Sequence, residues 1–267
     1  MQINNKRMTQ IGKPFKSLDA YNNAMSQAID DKLFFVNHLP QDDYLYVDFG
    51  CADGSLLNKL ESLVTGTFIG YDLSEEMLHE AKLKNPNMFF TNHWNDVLEK
   101  MDITSKKKVL ILSSVIHEVY SYANSLQDIT EFWQKINYSG FDYVVVRDMI
   151  PSQSINRPAI WKHRFCVELF SDASQLTEFE HNFGTIHNNK NLVHFLLKYR
   201  YKINWKREVN ENYFPLYKEK FLKKFPSFEQ LYVESFKVPF LVEQIRKDFG
   251  ITLQDNTHLK AIFYVKS

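Results

Sequence analysis

Strand-like and helix-like segments alternate through the first 150 residues, and no other feature constrains the fold of this chain as strongly. Such an order builds a parallel sheet covered by helices. Tyr44–Phe49 reads as a short apolar strand, followed by Gly50-Cys51-Ala52-Asp53-Gly54 and a helix from Ser55. Thr67–Tyr71 is a second strand, after which Ser74 caps a helix with Glu75 and Glu76 in its first turn, where acids suit the helix dipole. Asn85-Pro86 ends that helix. Met88–Thr91 is a weak third strand, and Val109–Leu112 a fourth, continuously apolar as a central parallel strand should be. A helix over Asn124–Ile136 leads to a fifth strand, Phe141–Val146. Ahead of them all, Tyr21–Leu39 has helical character and stops at Pro40.

From Pro151 to Pro239 the alternation is lost. Order returns with a helix over Phe240–Phe249 capped by Gly250, then strands at Ile251–Leu253 and Leu259–Val265 that predict an antiparallel hairpin at the sheet edge. The expected organisation is a core of residues 1–150 and 240–267 with an inserted substrate-recognition lid, largely helical, at 151–239, after the fifth strand. At 267 residues the chain is long enough for one substantial core with such an appendage. No apolar run reaches the ~18 residues of a membrane span, and the polar start lacks the pattern of a secretory signal. Cys51 and Cys166 form neither a disulfide framework nor a metal-ligand spacing, so a reducing, cytoplasmic setting is expected.

The chemistry concentrates at the strand ends. A strand running directly into a glycine turn and a helix presents backbone N–H groups and a positive helix end, and Gly50 and Gly54 allow close approach of a ligand. Dinucleotide folds use the same geometry with G-x-G-x-x-G. Here the spacing is Gly50-x-x-x-Gly54, with acids at Asp48 and Asp53. Carboxylates repel a pyrophosphate but attract a cationic sulfonium ligand that carries an amino group, which favours S-adenosylmethionine over a nicotinamide dinucleotide. Asp72 ends the second strand, where an acid can accept both hydroxyls of a ribose.

These two segments together resemble class I S-adenosylmethionine-dependent methyltransferases. Tyr46–Gly54 looks like the first motif of that family, and Ile69-Gly70-Tyr71-Asp72-Leu73-Ser74 with Met77 and Ala81 like the second. The resemblance covers residues 44–150 and the terminal segment from about 240, and does not extend to 151–239. Ala52 stands where many members have a glycine. The resemblance implies a Rossmann-like α/β fold, with a seven-stranded, mostly parallel sheet and an antiparallel last strand. It also implies that Asp48 and Gly50 line the methionine end of the cofactor and that Asp72 holds the ribose, with Cys51, Ala52, Gly54 and Leu73 beside them. A residue after the third strand contacts adenine in this family. Asp96 is the candidate, with Asn92, His93 and Trp94 as rivals, and an ordinary helix cap is the competing reading of Asp96.

Ligands of open α/β sheets bind outside the carboxyl ends of the strands, which places Ser113 against the cofactor and His117, Glu118 and Asp148 near the transferred methyl. His117 suits proton removal near neutrality, Glu118 can hold an amine or polarise the imidazole, and Asp148 is a second candidate base. Arg147 pairs either with Asp148 or with an anionic substrate. The competing readings are a packing and capping role for His117 and Glu118 and a purely structural pair for Arg147 and Asp148. Ser121 stands where H-E-x-x-H would need its second histidine, so no zinc site is expected. The Asn/Asp-Pro-Pro-Tyr and Pro-Cys signatures of DNA methylation are also missing from the sequence.

The net charge is zero, but from Asn188 to Lys224 ten Lys/Arg face three acids, a local +7 balanced by −7 elsewhere. Trp161 to Phe165 and Tyr199 to Arg207 interleave aromatics with cations, a pattern suited to single-stranded RNA. Trp161 and Arg164 join Arg147 as candidate acceptor contacts. A lid whose aromatics form its core and whose lysines are solvated explains the same residues. The expected activity is methyl transfer to an O or N nucleophile of a small-molecule or nucleotide-like acceptor. RNA methylation through the basic lid, or a non-catalytic cofactor-binding scaffold, stand as alternatives.

Overall fold

The computed structural model describes residues 29–201 and 204–266. A seven-stranded sheet runs in the order β3-β2-β1-β4-β5-β7-β6. Its first five strands are β1 (Tyr44–Phe49), β2 (Gly66–Tyr71), β3 (Phe89–Thr91), β4 (Lys108–Ser113) and β5 (Tyr143–Asp148). They pair in parallel, with Asp48 opposite Gly70 and Ile111, and Ser113 opposite Arg147. The strand order reverses between β1 and β4, so the carboxyl ends of these two strands flank the crevice where ligands of open α/β sheets bind. The N–H of Val265, at the end of β7 (His258–Val265), donates to Asp142 at the start of β5, so β7 runs antiparallel.

Connecting helices form where the sequence predicts them at α2 (Ser55–Glu61), α3 (Glu75–Lys84) and α6 (Leu126–Tyr138), and two more, α4 (Trp94–Asp102) and α5 (Ile116–Tyr122), follow β3 and β4. Ser74 caps α3 by accepting the N–H of Met77, and Ser125 caps α6 by accepting that of Asp128. On one face of the sheet Tyr46, Val109, Ile111, Val145 and Ile262 pack with Leu57 and Leu60 of α2 and Leu78 and Ala81 of α3. Of the predicted amino-terminal helix, residues 21–28 lie outside the described part. From Ile29 the chain forms a helical turn, α1 (Ile29–Lys32), then a 3-10 helix over Phe34–Asn37.

The chain divides into two compact units. One extends to Asp148 and adds Lys224–Glu234 and the segment from Lys260; the other comprises Met149–Lys223 and Ser235–Leu259. The second unit contains α7 (Trp161–Phe170), α8 (Ala173–Phe183), α9 (Asn189–Tyr199), the short turns α10 (Trp205–Glu208) and α11 (Lys218–Phe221), and α12 (Pro239–Phe249). Its core gathers Val167, Phe179, Phe195, Leu196, Phe214 and Phe249 around α9, which is buried along almost its whole length.

Two expectations need correction. Ile251–Leu253 is not a strand; the partner of β7 is β6 (Phe228–Phe236), joined to it by the Thr257 N–H to Phe236 carbonyl and Lys266 N–H to Ser227 carbonyl bonds. The unit boundary moves accordingly. Helix α12 belongs to the second unit, where Ile245 and Phe249 join its core, and residues 224–234 belong to the sheet unit. The physical reason is exposure. β6 is the edge strand and keeps Glu229, Gln230 and Leu231 in solvent, so it lacks the apolar run that marks a central strand.

Candidate active site

The turn after β1 is built on left-handed backbone. Gly50, Ala52 and Gly54 have φ of 80°, 47° and 73°. A Cβ on Gly50 would stand 3.0 Å from a Val115 methyl, so this position is closed to a side chain by both conformation and space. Ala52 adopts the same region at some cost in strain, which the turn imposes on it. The N–H groups of Gly50 and Cys51 both donate to the carbonyl of Tyr71, at 2.7 and 3.1 Å, seating the turn on the tip of β2. Burial pushes the Cys51 thiol well up, which keeps it an inert packing group.

Asp72 ties the two predicted motifs together. One carboxylate oxygen accepts the N–H of Ala52 at 2.9 Å and the other that of Ser74 at 2.8 Å. Asp53, by contrast, is turned away into structure. Its carboxylate takes Lys84 at 2.6 Å and the Ser55 hydroxyl at 2.8 Å. Burial opposes its ionisation, but Lys84 and Ser55 outweigh burial and hold the carboxyl below its usual range. The charge that Asp53 was expected to offer a ligand is therefore already neutralised.

Asp48 is 2% exposed, and burial raises its carboxyl to about 7, with Lys32 opposing and Asp72 adding to the rise. Lys32 lies beside it and was not singled out by the sequence. It is 6% exposed, and burial lowers its ammonium to about 8, with Arg147 pushing the same way and Asp48, Glu118 and Asp148 opposing. Its neighbour Asp31 accepts Nε and Nη2 of Arg147 at 2.8 and 2.7 Å and Nζ of Lys260 at 2.6 Å. No motif marks this pair, since both sit in one helical turn ahead of the first strand.

At the tip of β4, Ser114 has φ of 60° and its N–H donates to the Arg147 carbonyl at 2.8 Å. Nδ1 of His117 faces Oδ1 of Asp148 at 2.7 Å, and Oδ2 of the same carboxylate accepts the N–H of Ile116, also at 2.7 Å. A carboxylate only accepts, so Nδ1 carries the hydrogen of this bond. Arg147 points to the opposite face of β5 from Asp148, as strand alternation requires, and also reaches the Ser114 hydroxyl at 3.3 Å. Its guanidinium is engaged with Asp31 in the way described above.

Asp96 stands in the first turn of α4 and accepts the Thr91 hydroxyl at 2.6 Å. Trp94 packs among Phe49 and Tyr71, with ring centres 5.6 and 5.2 Å away. Its indole N–H and the hydroxyl of Ser113 are buried without a hydrogen-bond partner among the described residues. Orphaned polar atoms of this kind mark places where a ligand can complete the bonding. Among the described residues no group of His, Cys, Asp and Glu could hold a metal ion, and no helix is long and apolar enough to cross a membrane.

In the second unit the basic, aromatic stretch is divided between core and surface. Tyr199 and Trp205 are buried in its core. Lys198 is fully buried, donates to the carbonyls of Glu208 and Glu211, and lies 3.7 Å from the centre of the Tyr213 ring. Arg207 pairs with Glu211 at 2.8 Å and Arg200 stacks on Tyr201 and Phe240. Of the two readings of this run, RNA stacking platform or lid core, Tyr199 and Trp205 supply packing, and Lys206 is exposed. Trp161 on α7 is 64% exposed, and Nε of Arg164 is buried without a partner among the described residues.

No protein-family model and no curated protein matches the chain. Solved structures do. The chain is similar over 93% of its length to 88% of the plantazolicin methyltransferase BamL, solved with a triazolic desmethylPZN analog and SAH, at 14% identity and a TM-score of 0.47. It is similar over 90% to 87% of the N-methyltransferase NodS from Bradyrhizobium japonicum WM9, at 9% identity and a TM-score of 0.47. A third likeness, over 85% of this chain and 93% of the other, is to an S-adenosylmethionine-dependent methyltransferase from Mesorhizobium loti, at 16% identity and a TM-score of 0.48. The strand order, with five parallel strands and an antiparallel β7 inserted between β5 and β6, is by itself that of the Rossmann-like class I methyltransferase fold, and this is the fold the chain adopts.

Proposed function

We propose that the protein is an S-adenosylmethionine-dependent methyltransferase acting on an O or N nucleophile of a small-molecule acceptor. The observation that carries this reading is the Asp72 carboxylate gripping the glycine turn beside the buried Asp48. The residues fit the cofactor: a left-handed turn closed to side chains at Gly50, two acids suited to a cation, and unsatisfied polar atoms at Ser113 and Trp94. Asp48 and Gly50 then line the amino-acid end, Asp72 and Leu73 the ribose, and Asp96 with Trp94 the adenine side. Cys51, Ala52, Gly54 and Ser113 shape the floor.

When bound, the cofactor supplies a methyl group on positively charged sulfur. The chain's own part is to hold the acceptor in line and remove its proton. His117, oriented by Asp148, takes that proton at Nε2, and Glu118 positions the acceptor. The acids at this edge disfavour a polyanionic acceptor. The burial of Lys198, Tyr199 and Trp205 also takes one cation and two aromatic rings of that stretch out of reach of an RNA substrate.

The test is transfer of labelled methyl from S-adenosylmethionine to fractionated small molecules, RNA and protein. Label in the small-molecule fraction is expected. Label confined to RNA would overturn the acceptor assignment, and cofactor binding without label in any fraction would make the chain a scaffold.

A further inference from the structure

Helix α7 of the second unit keeps a row of large apolar side chains in solvent. Trp161, Phe165 and Leu169 are 64, 55 and 59% exposed. They recur every fourth residue, which on a helix makes one continuous stripe, and it lies on the side opposite Val167, the buried residue of α7. Exposed apolar rows rimmed by charge are typical of association surfaces. The charges beside this one are placed against the helix's own dipole. Lys162 and Arg164 stand in the first turn, where acids are favoured, and Glu168 in the last turn, where bases are. Lys162 and Glu168 are both exposed, with the Lys162 ammonium 5.8 Å from the centre of the Trp161 ring.

A second copy of the same helix answers both features. When two α7 helices pack antiparallel about Phe165, the two Phe165 rings meet at the two-fold axis. Trp161 then comes level with Leu169 of the second copy, and Lys162 with its Glu168. The stripe is thus self-complementary, as an isologous interface requires. Each Glu168 also comes near the amino end of the other helix and each Lys162 near its carboxyl end. Charges that oppose their own helix dipole are therefore favoured by the neighbour's. A parallel pair would instead set Lys162 level with Lys162 and Glu168 with Glu168. We propose that this face of α7 is the contact of a two-fold symmetric homodimer. Trp161 is thereby given to a second copy of the chain rather than to the acceptor. Ten helical residues span only about 15 Å, short of a standard-size interface, so the dimer is a weak one, with a dissociation constant of roughly 10–100 μM.

The experiment is sedimentation velocity on the full chain over a series from about 1 to 300 μM. Wild type is expected to shift from monomer to dimer as concentration rises. Phe165→Asp places two carboxylates at the axis and should weaken the dimer at least ~10-fold. Its far-UV circular dichroism should stay that of wild type, because Phe165 is exposed in the single chain. Lys162→Glu and Glu168→Lys should each weaken the dimer ~2- to 10-fold at low salt. The double variant restores opposite charges across the axis and should recover the wild-type constant. A wild type that stays monomeric across the series overturns the proposal and leaves the stripe to another partner or to the acceptor. So does a dimer that Phe165→Asp leaves intact. A double variant no tighter than the single ones also overturns it, since the helices would then not run antiparallel. If Phe165→Asp does not fold, the charge exchange still decides.

Discussion

One carboxylate, that of Asp148, holds both the imidazole Nδ1 of His117 and the backbone N–H of Ile116, each at 2.7 Å, and so locks the start of α5 onto the end of β5. Geometry and chemistry coincide here, because the same bonds that cap the helix fix the tautomer of the histidine. His117→Ala should lower the methyl-transfer rate by about 10²- to 10⁴-fold, the usual worth of a positioned general base, with affinity for S-adenosylhomocysteine unchanged. Asp148→Asn should lower the rate and also the melting temperature, since a buried N–H loses a charged acceptor. Single-turnover transfer to the acceptor found by labelling, alongside calorimetry, separates the two effects. An unchanged rate in His117→Ala would assign the pair to structure alone.

Asp72 joins two segments 20 residues apart through its bond to Ala52. Asp72→Ala removes a charged hydrogen-bond acceptor from the ligand and the tether of the glycine turn together. The expected loss of S-adenosylhomocysteine affinity is about 2–3 kcal/mol. Hydrogen exchange should at the same time quicken at the amides of Ala52 and Ser74. Faster exchange with unchanged affinity would place the ribose elsewhere.

The parts of this molecule that could be read from its sequence are those where one residue's local chemistry decides the outcome. Gly50 and Gly54 announce a turn, Ser74 a helix start, and Val109 to Leu112 a buried strand, because each depends on near neighbours alone. The roles of Asp53 and Asp48 could not be told apart in the same way. They are five residues apart and look alike, yet Lys84, at the end of α3, neutralises one and burial perturbs the other. Lys32 was illegible for a related reason: a lysine at a helix end is ordinarily solvated, and only the clasp of Asp31 by Arg147 and Lys260 turns it inward. The edge strand β6 escaped because exposure allows it to carry charges.

The burial of Asp48 and Lys32 sets a pH dependence of stability with two opposite slopes. Asp48 keeps its proton in the folded chain up to about pH 7 against 3.8 ordinarily, so the unfolded chain binds fewer protons between those values. Stability therefore falls as pH rises from about 4 to about 7, by up to ~4 kcal/mol. Lys32 loses its proton near pH 8 when folded and near 10.5 when unfolded, so stability rises again over that range. Asp48→Asn should flatten the acidic slope and be more stable than wild type at pH 7.5, and Lys32→Met should flatten the alkaline one. Urea midpoints measured at pH 5, 7.5 and 9.5 check both signs. A wild-type minus Asp48→Asn difference that does not change between pH 5 and 7.5 would mean the carboxylate is solvated.

In the second unit, Lys198 closes the segment after α9 by donating to the carbonyls of Glu208 and Glu211, with Tyr213 covering it and donating its hydroxyl to Glu208. Burial lowers this ammonium, and Glu208 and Glu211 oppose that shift. Lys198→Met replaces the stem at similar volume but strands two backbone carbonyls and the carboxylates beside them. The expected cost is about 3–5 kcal/mol, the range for breaking a buried charge arrangement from one side. Lys206→Met, on the exposed side of α10, should by comparison change stability by less than about 0.5 kcal/mol. Guanidinium denaturation of both variants measures the contrast. Equal, small effects would return Lys198 to the surface and, with it, the basic stretch as an interface for a polyanion.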